Sequence, residues 1–330
     1  MSTYLQKEPL RNTRILVTGG SGFIGRHVVA DLIAAGAEVR VVDLKPHPDP
    51  TADAVLGDIA DPAVLEAAFE PPAIDAVVHL AAITSVLRSV EHPDLTFRTN
   101  VAATHALLEG ARAAGATSLV FASTNAVTGP MIAPAITEDA ALQPLTPYGS
   151  TKAAAEMLMS AYSASYGIRC VALRLTNVYG PGMQAKDSIV ARLMRAIRLG
   201  TTFEIYGDGR QVRDYVHVSD VTDAVALGLV SEDWVGPTVI GAGRSLSVLE
   251  VVDAVREATG QPLSVRHGPP KPGEMPAVIV DPSRARARGW SPRIGFEEGL
   301  AAVWEEWSRI DLDAVRSGLG VLAAPTGASR

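Results

Sequence analysis

Residues 14–25 read Arg14-Ile-Leu-Val-Thr-Gly-Gly-Ser-Gly-Phe-Ile-Gly25. The apolar triplet Ile15, Leu16, Val17 ahead of a glycine cluster has the form of a short, buried parallel strand. Residues 23–35 then repeat apolar side chains at helical spacing, and Gly36 stands where a helix C-cap belongs. Between the two, Gly19, Gly22 and Gly25 let the backbone turn tightly and let an anion approach the helix N-terminus. Free N–H groups and the helix dipole stabilise negative charge there. A second strand over residues 38–42 ends in Asp43, followed by Leu44 and Lys45. An acidic side chain about twenty residues beyond such a turn suits a ribose diol and repels a 2′-phosphate. The stretch predicts a dinucleotide site that prefers NAD to NADP, a preference that Lys45 tempers.

The alternation continues outward. Strands are predicted at 54–56, 76–80, 118–122 and 169–175, with helices at 61–69, 93–114 and 148–166. Asp61 is the N-cap and Pro62 the first helical residue of the shortest helix. Such alternation predicts an α/β, Rossmann-like doubly wound parallel sheet with helices on both faces. After about Tyr179 glycines and prolines become denser, and helices are predicted at 189–199, 218–229 and 247–259. The expected division is a cofactor domain at 12–180, with a later strand returning to it, a smaller α/β substrate domain at 181–310, and a tail at 311–330. Ligands of doubly wound sheets bind beyond the carboxyl ends of the strands, where a second domain would close over a substrate.

Bulk properties narrow the function. The 330 residues are 47% apolar with a formal net charge of −7, which fits a globular protein and argues against a general nucleic-acid or membrane surface. No run has the apolar length of a membrane span, and residues 1–12 lack a signal-peptide core. Cys170 is the only cysteine, so a reducing, cytoplasmic compartment is expected and Cys170 reads as a packing residue. The seven histidines form no pair at ligand spacing, and no metal is expected.

Tyr148-Gly-Ser-Thr-Lys152 places a phenol and an ammonium one turn apart on a helical face. An ammonium and a positive nicotinamide ring nearby would lower the phenol pKa towards the range useful for proton transfer. The pair alone is common on solvated helix faces.

From Arg14 to Trp307 the chain resembles the extended short-chain dehydrogenase/reductase family, particularly its nucleotide-sugar epimerases and dehydratases. The motifs stand in the family's order: Thr18-Gly-Gly-Ser-Gly-Phe-Ile-Gly25, His79-Leu-Ala-Ala82, Ser123-Thr124, Tyr148-x-x-x-Lys152, Asn177-Val-Tyr-Gly-Pro181, Arg213-Asp-Tyr-Val-His-Val218 with Asp220, and Lys271-Pro-Gly-Glu274. The resemblance implies that Gly19, Gly22, Phe23, Ile24, Gly25, Asp43 and Leu44 bind NAD. Asp58 and Ile59 would flank the adenine, Leu80, Ala81 and Ala82 would line the cofactor, Asn100 would support it, and Ser123 would lie near the nicotinamide. Thr124 would orient the reacting hydroxyl, Tyr148 would act as base and Lys152 would hold the ribose. On the substrate side it implies Thr84, Asn125 and Asn177, Glu204 to Tyr206 along the uridine, and Arg213 with Lys271 at the diphosphate. The family more often has Arg at that last position, and Lys lacks the bidentate fork. The resemblance also implies a homodimer through the 93–114 and 148–166 helices.

The implied reaction is epimerisation at C4 of a UDP-hexose, of the UDP-glucose/UDP-galactose type, through a transient keto-sugar. Related dehydratases carry an Asp-Glu pair after the catalytic Thr, where this chain has Asn125 and Ala126. Val278 falls where a bulky aromatic narrows the sugar pocket in some relatives. A UDP-glucuronate substrate is the alternative. Gly182, Met183 and Gln184 stand where such enzymes use Arg, which leaves Arg88, Lys186 and Arg192 as carboxylate partners. A dehydratase, a decarboxylase or a simple NAD-dependent dehydrogenase are the remaining readings.

Overall fold

The computed structural model of the protein describes residues 10–131, 133–270, 277–313 and 315–316. Along the chain the strands are β1 (Arg14–Thr18), β2 (Glu38–Asp43), β3 (Asp53–Leu56), β4 (Ala76–His79), β5 (Ser118–Thr124), β6 (Arg169–Leu175), β7 (Asn177–Tyr179), β8 (Phe203–Tyr206), β9 (Val212–His217), β10 (Gly236–Ile240), β11 (Ser245–Ser247) and β12 (Val265–Gly268). The helices are α1 (Phe23–Ala34), α2 (Pro62–Ala68), α3 (Val86–Glu91), α4 (Pro93–Phe97), α5 (Ala103–Ala114), α6 (Pro147–Tyr166), α7 (Ile189–Leu199), α8 (Val218–Val230), α9 (Val248–Thr259), α10 (Ser283–Ala287) and α11 (Phe296–Arg309).

The described residues up to Thr176, with Ser219–Ile240 and Asp281–Ser291, form one compact unit. Its sheet has seven strands in the order β10-β6-β5-β4-β1-β2-β3, and every neighbouring pair is parallel. Strands β1, β4, β5 and β6 are buried almost end to end, as a sheet covered on both faces requires. Leu107 and Leu108 of α5 and Ala155 and Met159 of α6 pack with Leu119, Phe121 and Ala172 of the sheet. Against β5 and β6, Gly228 of α8 lies so near that an added Cβ would come within 2.9 Å of Val120 Cγ2. The segment 281–291 is tied in by Asp281 N donating to Ile136 O (2.9 Å) and Trp290 Nε1 donating to Asp220 O (2.8 Å).

The described residues of Asn177–Val218, Gly241–Val280 and Pro292 onward form the second unit. Strand β9 pairs in parallel with β7 and antiparallel with β11, and β8 pairs in parallel with β12. Helices α7, α9 and α11 pack on one another. Trp307 of α11 is fully buried, with the Arg195 guanidinium of α7 5.9 Å above its ring.

The expected helix over 93–114 is interrupted by a π-helical turn at Arg98–Ala102. Asn100 lies at its centre. The amide oxygen accepts from Ile83 N (2.8 Å), and the amide nitrogen donates to Ile83 O (3.0 Å) and to Thr151 Oγ1 (3.1 Å). The backbone carbonyl of Asn100 takes the Thr104 hydroxyl at 2.8 Å. The wider turn lets one side chain clamp the loop after β4 to α6, a use typical of such turns. Strand β5 also runs two residues beyond the predicted end, to Thr124, because Ser123 and Thr124 stay in register with Arg174 and Leu175 of β6. Among the described helices none is long and apolar enough to cross a membrane.

Candidate active site

The glycine turn joins the end of β1 to α1. Gly19 has φ +72°, a conformation that favours glycine, and an added Cβ would lie 2.7 Å from Ala81 N. The loop after β4 therefore packs on the turn's backbone. At Gly25, on the first turn of α1, a Cβ would run into the Gly19 carbonyl oxygen. Gly22 is the N-cap and brings no capping side chain, which leaves the start of a 12-residue helix open to an anion. Phe23 and Ile24, which follow it, are half-buried.

Asp43 closes β2 beside this turn. Its carboxylate accepts from Ser21 N (3.0 Å) and Lys45 N (3.1 Å), so it fixes the glycine loop while retaining lone pairs for a diol. Leu44 is 70% exposed. Asp58 is exposed and caps its own turn through Ala60 N (2.9 Å), whereas Ile59 is buried. A cavity of about 800 Å³ opens beside these two residues, walled by Leu65 on α2, Phe69 at its end, and Ala103 and Gly110 on α5. Leu80 N donates to Thr18 O (3.0 Å) and Ala81 N to Thr18 Oγ1 (3.3 Å), and Ala82 is half-buried. His79 is fully buried between Thr18 Oγ1 (2.6 Å, at Nδ1) and Thr104 Oγ1 (2.9 Å, at Nε2). Burial, and secondarily the charge of Lys152, push its pKa down to about 3, so the imidazole is neutral.

The candidate catalytic residues converge in the same unit. Thr124 ends β5, and its hydroxyl accepts from Ala126 N (3.2 Å), which opens a 3₁₀ turn, and donates to Asn125 Oδ1 (3.4 Å). Tyr148 sits in the first turn of α6, capped by Thr146 Oγ1 on Gly149 N (3.2 Å) with Pro147 at the start. Its phenol lies beside the Thr124 hydroxyl. Burial pushes the phenol pKa up, and the Thr124 hydroxyl opposes that push. Lys152 is buried; its ammonium donates to Ala122 O (2.8 Å) and lies 4.3 Å above the Phe121 ring. Burial pulls its pKa down to about 7, against the opposing pull of the Glu156 carboxylate. Ser123 is buried and donates to Glu156 Oε1 at 2.5 Å.

Two contributors escaped the sequence. Ser89 Oγ accepts from Tyr148 N (3.1 Å), which fixes the start of α6 from the short helix α3. Glu156 continues the Tyr148–Lys152 face by one more turn, a spacing that could have marked it.

Thr84 and Arg88 of this unit are exposed. Besides Thr124 and Asn125, the remaining described substrate candidates lie in the second unit. Asn177 opens β7 and donates through Nδ2 to Asp214 O (2.9 Å). Asp214 is buried and accepts from Ala242, Gly243 and Arg244 N at 2.7–3.1 Å, which pins the turn before β11. Arg213, beside it on β9, donates to Val212 O (2.8 Å). Glu204 and Tyr206 are half-buried on β8, with Arg266 3.4 Å from Glu204. Arg192 lies 5.3 Å above the Phe203 ring and 5.9 Å from the Tyr206 ring. Lys186 is half-buried, and burial lowers its pKa. Val278 is buried and donates from its backbone to Val212 O (3.0 Å). Lys271 lies outside the described residues.

Comparison with known proteins places this arrangement. The chain is 34% identical over 298 residues to a putative UDP-glucose 4-epimerase of Methanocaldococcus jannaschii, covering 88% of this chain and 96% of that protein. It is 36% identical over 304 residues to the UDP-glucose 4-epimerase of Lacticaseibacillus casei, covering 84% and 91%. The crystal structure of the Thermus thermophilus UDP-glucose 4-epimerase in complex with NAD superposes with a TM-score of 0.85 at 37% identity, over 91% of this chain and all (100%) of that one. A UDP-glucose 4-epimerase from Thermotoga maritima, solved with UDP-glucose, also gives 0.85, at 33% identity over 90% and 99%. Residues 15–240 match the NAD dependent epimerase/dehydratase family over well over half the chain, and the protein belongs to that family.

Proposed function

We propose that the protein is an NAD-dependent UDP-sugar 4-epimerase that interconverts UDP-glucose and UDP-galactose through a transient 4-keto sugar. The observation that carries this reading is the Tyr148 phenol standing beside the Thr124 hydroxyl, with Lys152 one turn on, in the same unit as a glycine turn whose Gly19 and Gly25 have no room for a side chain. Relatives and solved neighbours named UDP-glucose 4-epimerase support the substrate.

The residues present fit NAD. Gly19 and Gly25 have no room for a Cβ, the N-cap of α1 is a glycine, and Asp43 brings an acidic oxygen to the turn. When bound, NAD supplies a hydride acceptor and donor and a positive ring beside the phenol. In this reading Tyr148 takes the C4 hydroxyl proton and returns it, and Thr124 orients that hydroxyl. Lys152 holds the ribose and sets positive charge near the phenol. Asn100 and Ser89 keep the β4 loop and α6 in place during the cycle. Proton management and orientation are the chain's contribution to rate. From the second unit, Arg213 and Lys271 would take the diphosphate and Glu204 to Tyr206 the uridine, a reading that rests on the motif positions these residues occupy.

A homodimer is part of the proposal. Leu87, Val90, Phe97 and Met157, on α3, α4 and α6, are each more than half exposed, an unusual density of large apolar side chains for a monomer's surface. A sedimenting mass twice that of the chain is expected, and a monomer at micromolar concentration would exclude it. The lone buried Cys170 supports a reducing, cytoplasmic setting.

The test of function is proton NMR of UDP-galactose incubated with the purified protein and no added cofactor. Growth of the UDP-glucose anomeric signal to a constant ratio is expected. An unchanged spectrum with UDP-galactose, while UDP-glucuronate or another UDP-sugar turns over, would reassign the substrate. No turnover of any UDP-sugar would remove the function.

A further inference from the structure

Ser123 of β5 and Arg174 of β6 are register partners, so their side chains project from the same face of the sheet. Both reach one carboxylate on α6. Ser123 Oγ donates to Glu156 Oε1 at 2.5 Å, and Arg174 donates through Nε (3.1 and 3.2 Å) and through its terminal nitrogen to Oε2 (2.8 Å). The other terminal nitrogen of Arg174 donates to Glu138 O at 2.9 Å. Ser123, Glu156 and Arg174 are each more than nine-tenths buried. A buried bidentate ion pair with a third donor is held far more rigidly than a surface pair, and removing one member leaves the other uncompensated.

This cluster completes a ladder between α6 and β5. Tyr148 meets Thr124, Lys152 meets the Ala122 carbonyl, and Glu156 meets Ser123. The helix residues are spaced four apart and lie on one face. The three contacts fix the axial position of α6 along the last residues of β5. The groups facing Lys152 are Glu156 and Tyr148 on its own helix, the Phe121 ring and Ala122 carbonyl on β5, and neutral His79 on β4. Glu156 is the anionic neighbour in that set, and Arg174 faces it from β6.

We propose that Glu156, gripped by Arg174, is a positioning residue for the epimerisation: through Ser123 it sets the end of β5 against α6, and it holds a carboxylate one helical turn from Lys152. The proposal rests on the epimerase reading for its kinetic consequence, but not for its effect on Lys152. Burial draws the Lys152 pKa to about 7, and the Glu156 carboxylate is what opposes that draw. Taking away the carboxylate charge lowers the Lys152 pKa further. The ammonium is then lost at a lower pH, and any activity that needs it fails earlier on the alkaline side.

The experiment is an NMR titration of protein labelled in its lysine side chains, comparing wild type, Glu156→Gln and Glu156→Asp. The chain has five lysines, Lys7, Lys45, Lys152, Lys186 and Lys271, so the Lys152 signal is identified by its loss in Lys152→Arg. The Lys152 midpoint is expected to fall by about one pH unit in Glu156→Gln and to return towards wild type in Glu156→Asp. The alkaline limb of kcat/KM for UDP-galactose should follow the same shift. A role in folding alone would lower the melting temperature and leave both the midpoint and the limb in place, and that result overturns the proposal. If Glu156→Gln does not fold, Arg174→Gln tests the same relation with the opposite sign: with its cationic partner gone, the Glu156 carboxylate should raise the Lys152 midpoint, and an unmoved or lowered midpoint overturns the proposal. A shifted midpoint with no turnover of any UDP-sugar supports the charge relation and overturns the functional reading.

Discussion

Tyr148 and Thr124 meet hydroxyl to hydroxyl at the junction of α6 and β5. The group proposed to move the proton and the group proposed to orient the sugar hydroxyl thus stand side by side, and each is anchored by its own cap: Thr146 under Tyr148, and Ala126 N on Thr124.

Tyr148→Phe removes the proton carrier and little else. The expected loss in kcat is on the order of 10²–10⁴-fold, with NAD content and melting temperature near wild type. Thr124→Val removes the hydroxyl that opposes the burial of the phenol, so the phenol pKa rises further. A base that must be deprotonated then needs a higher pH, and the acid limb of the pH–rate profile should move upward. Thr124→Ser should restore it. An unmoved limb in the valine variant would show that Thr124 does not tune Tyr148.

Lys152 makes stability and function oppose each other. Its folded pKa of about 7 lies below the ordinary lysine value, so the unfolded chain binds more protons between those two values. The cost of burying the ammonium is therefore fully present below about pH 7 and is relieved as pH rises towards 10. Lys152→Met should be more stable than wild type at pH 6, by about 1–2 kcal/mol, and should lose that advantage by pH 10. Its activity should be severely reduced throughout. Denaturant unfolding at the two pH values checks the sign.

His79 links pH to stability with the same sign, at lower pH. Its imidazole stays neutral down to about pH 3 because burial disfavours the charge, so it links Thr18 and Thr104 without switching across the working range. Acidification from pH 6.5 towards 3 favours the unfolded chain, which can protonate a histidine that the fold cannot. His79→Phe should cost about 1–3 kcal/mol at pH 7 by leaving buried hydroxyls short of a partner. The gap to wild type should narrow as pH falls towards 4. A constant gap would mean that the imidazole is charged in the fold.

The contrast between the two units explains what could be read in advance. Around the cofactor, each signal is local: Ile15 to Val17, the three glycines and Asp43 each announce their place by residue type and spacing, and β1 and β6 fall at their predicted bounds. Asp61 likewise accepts from Ala63 N as a cap should. The π-turn at Asn100 was hidden because it depends on Ile83 and Thr151, distant in sequence. The Ser123–Glu156–Arg174 cluster needs the β5/β6 register, which no spacing encodes. In the second unit the strands β7, β8, β11 and β12 have 3 or 4 residues, too short for alternation to show between glycines and prolines. The residues expected at the nucleotide there were nameable only from motif order.

Crowding at the glycine turn gives a direct probe of the cofactor site. Gly25→Ala sets a methyl against the Gly19 carbonyl, and relief requires the turn to open. NAD affinity should fall by about tenfold or more, equivalent to about 1.4 kcal/mol, while the apo protein still folds. Calorimetric titration of protein stripped of nucleotide measures it. Wild-type affinity in this variant would place the pyrophosphate elsewhere.

The proposed chemistry removes the hydrogen from C4 and returns it to the same carbon. UDP-[4-²H]galactose, incubated with the protein as purified in ordinary water and read by NMR of the product, tests this most directly. UDP-glucose that keeps deuterium at C4 is the expected result. UDP-glucose with the label washed into water would contradict transfer at C4, and an unconverted substrate would contradict the epimerase itself.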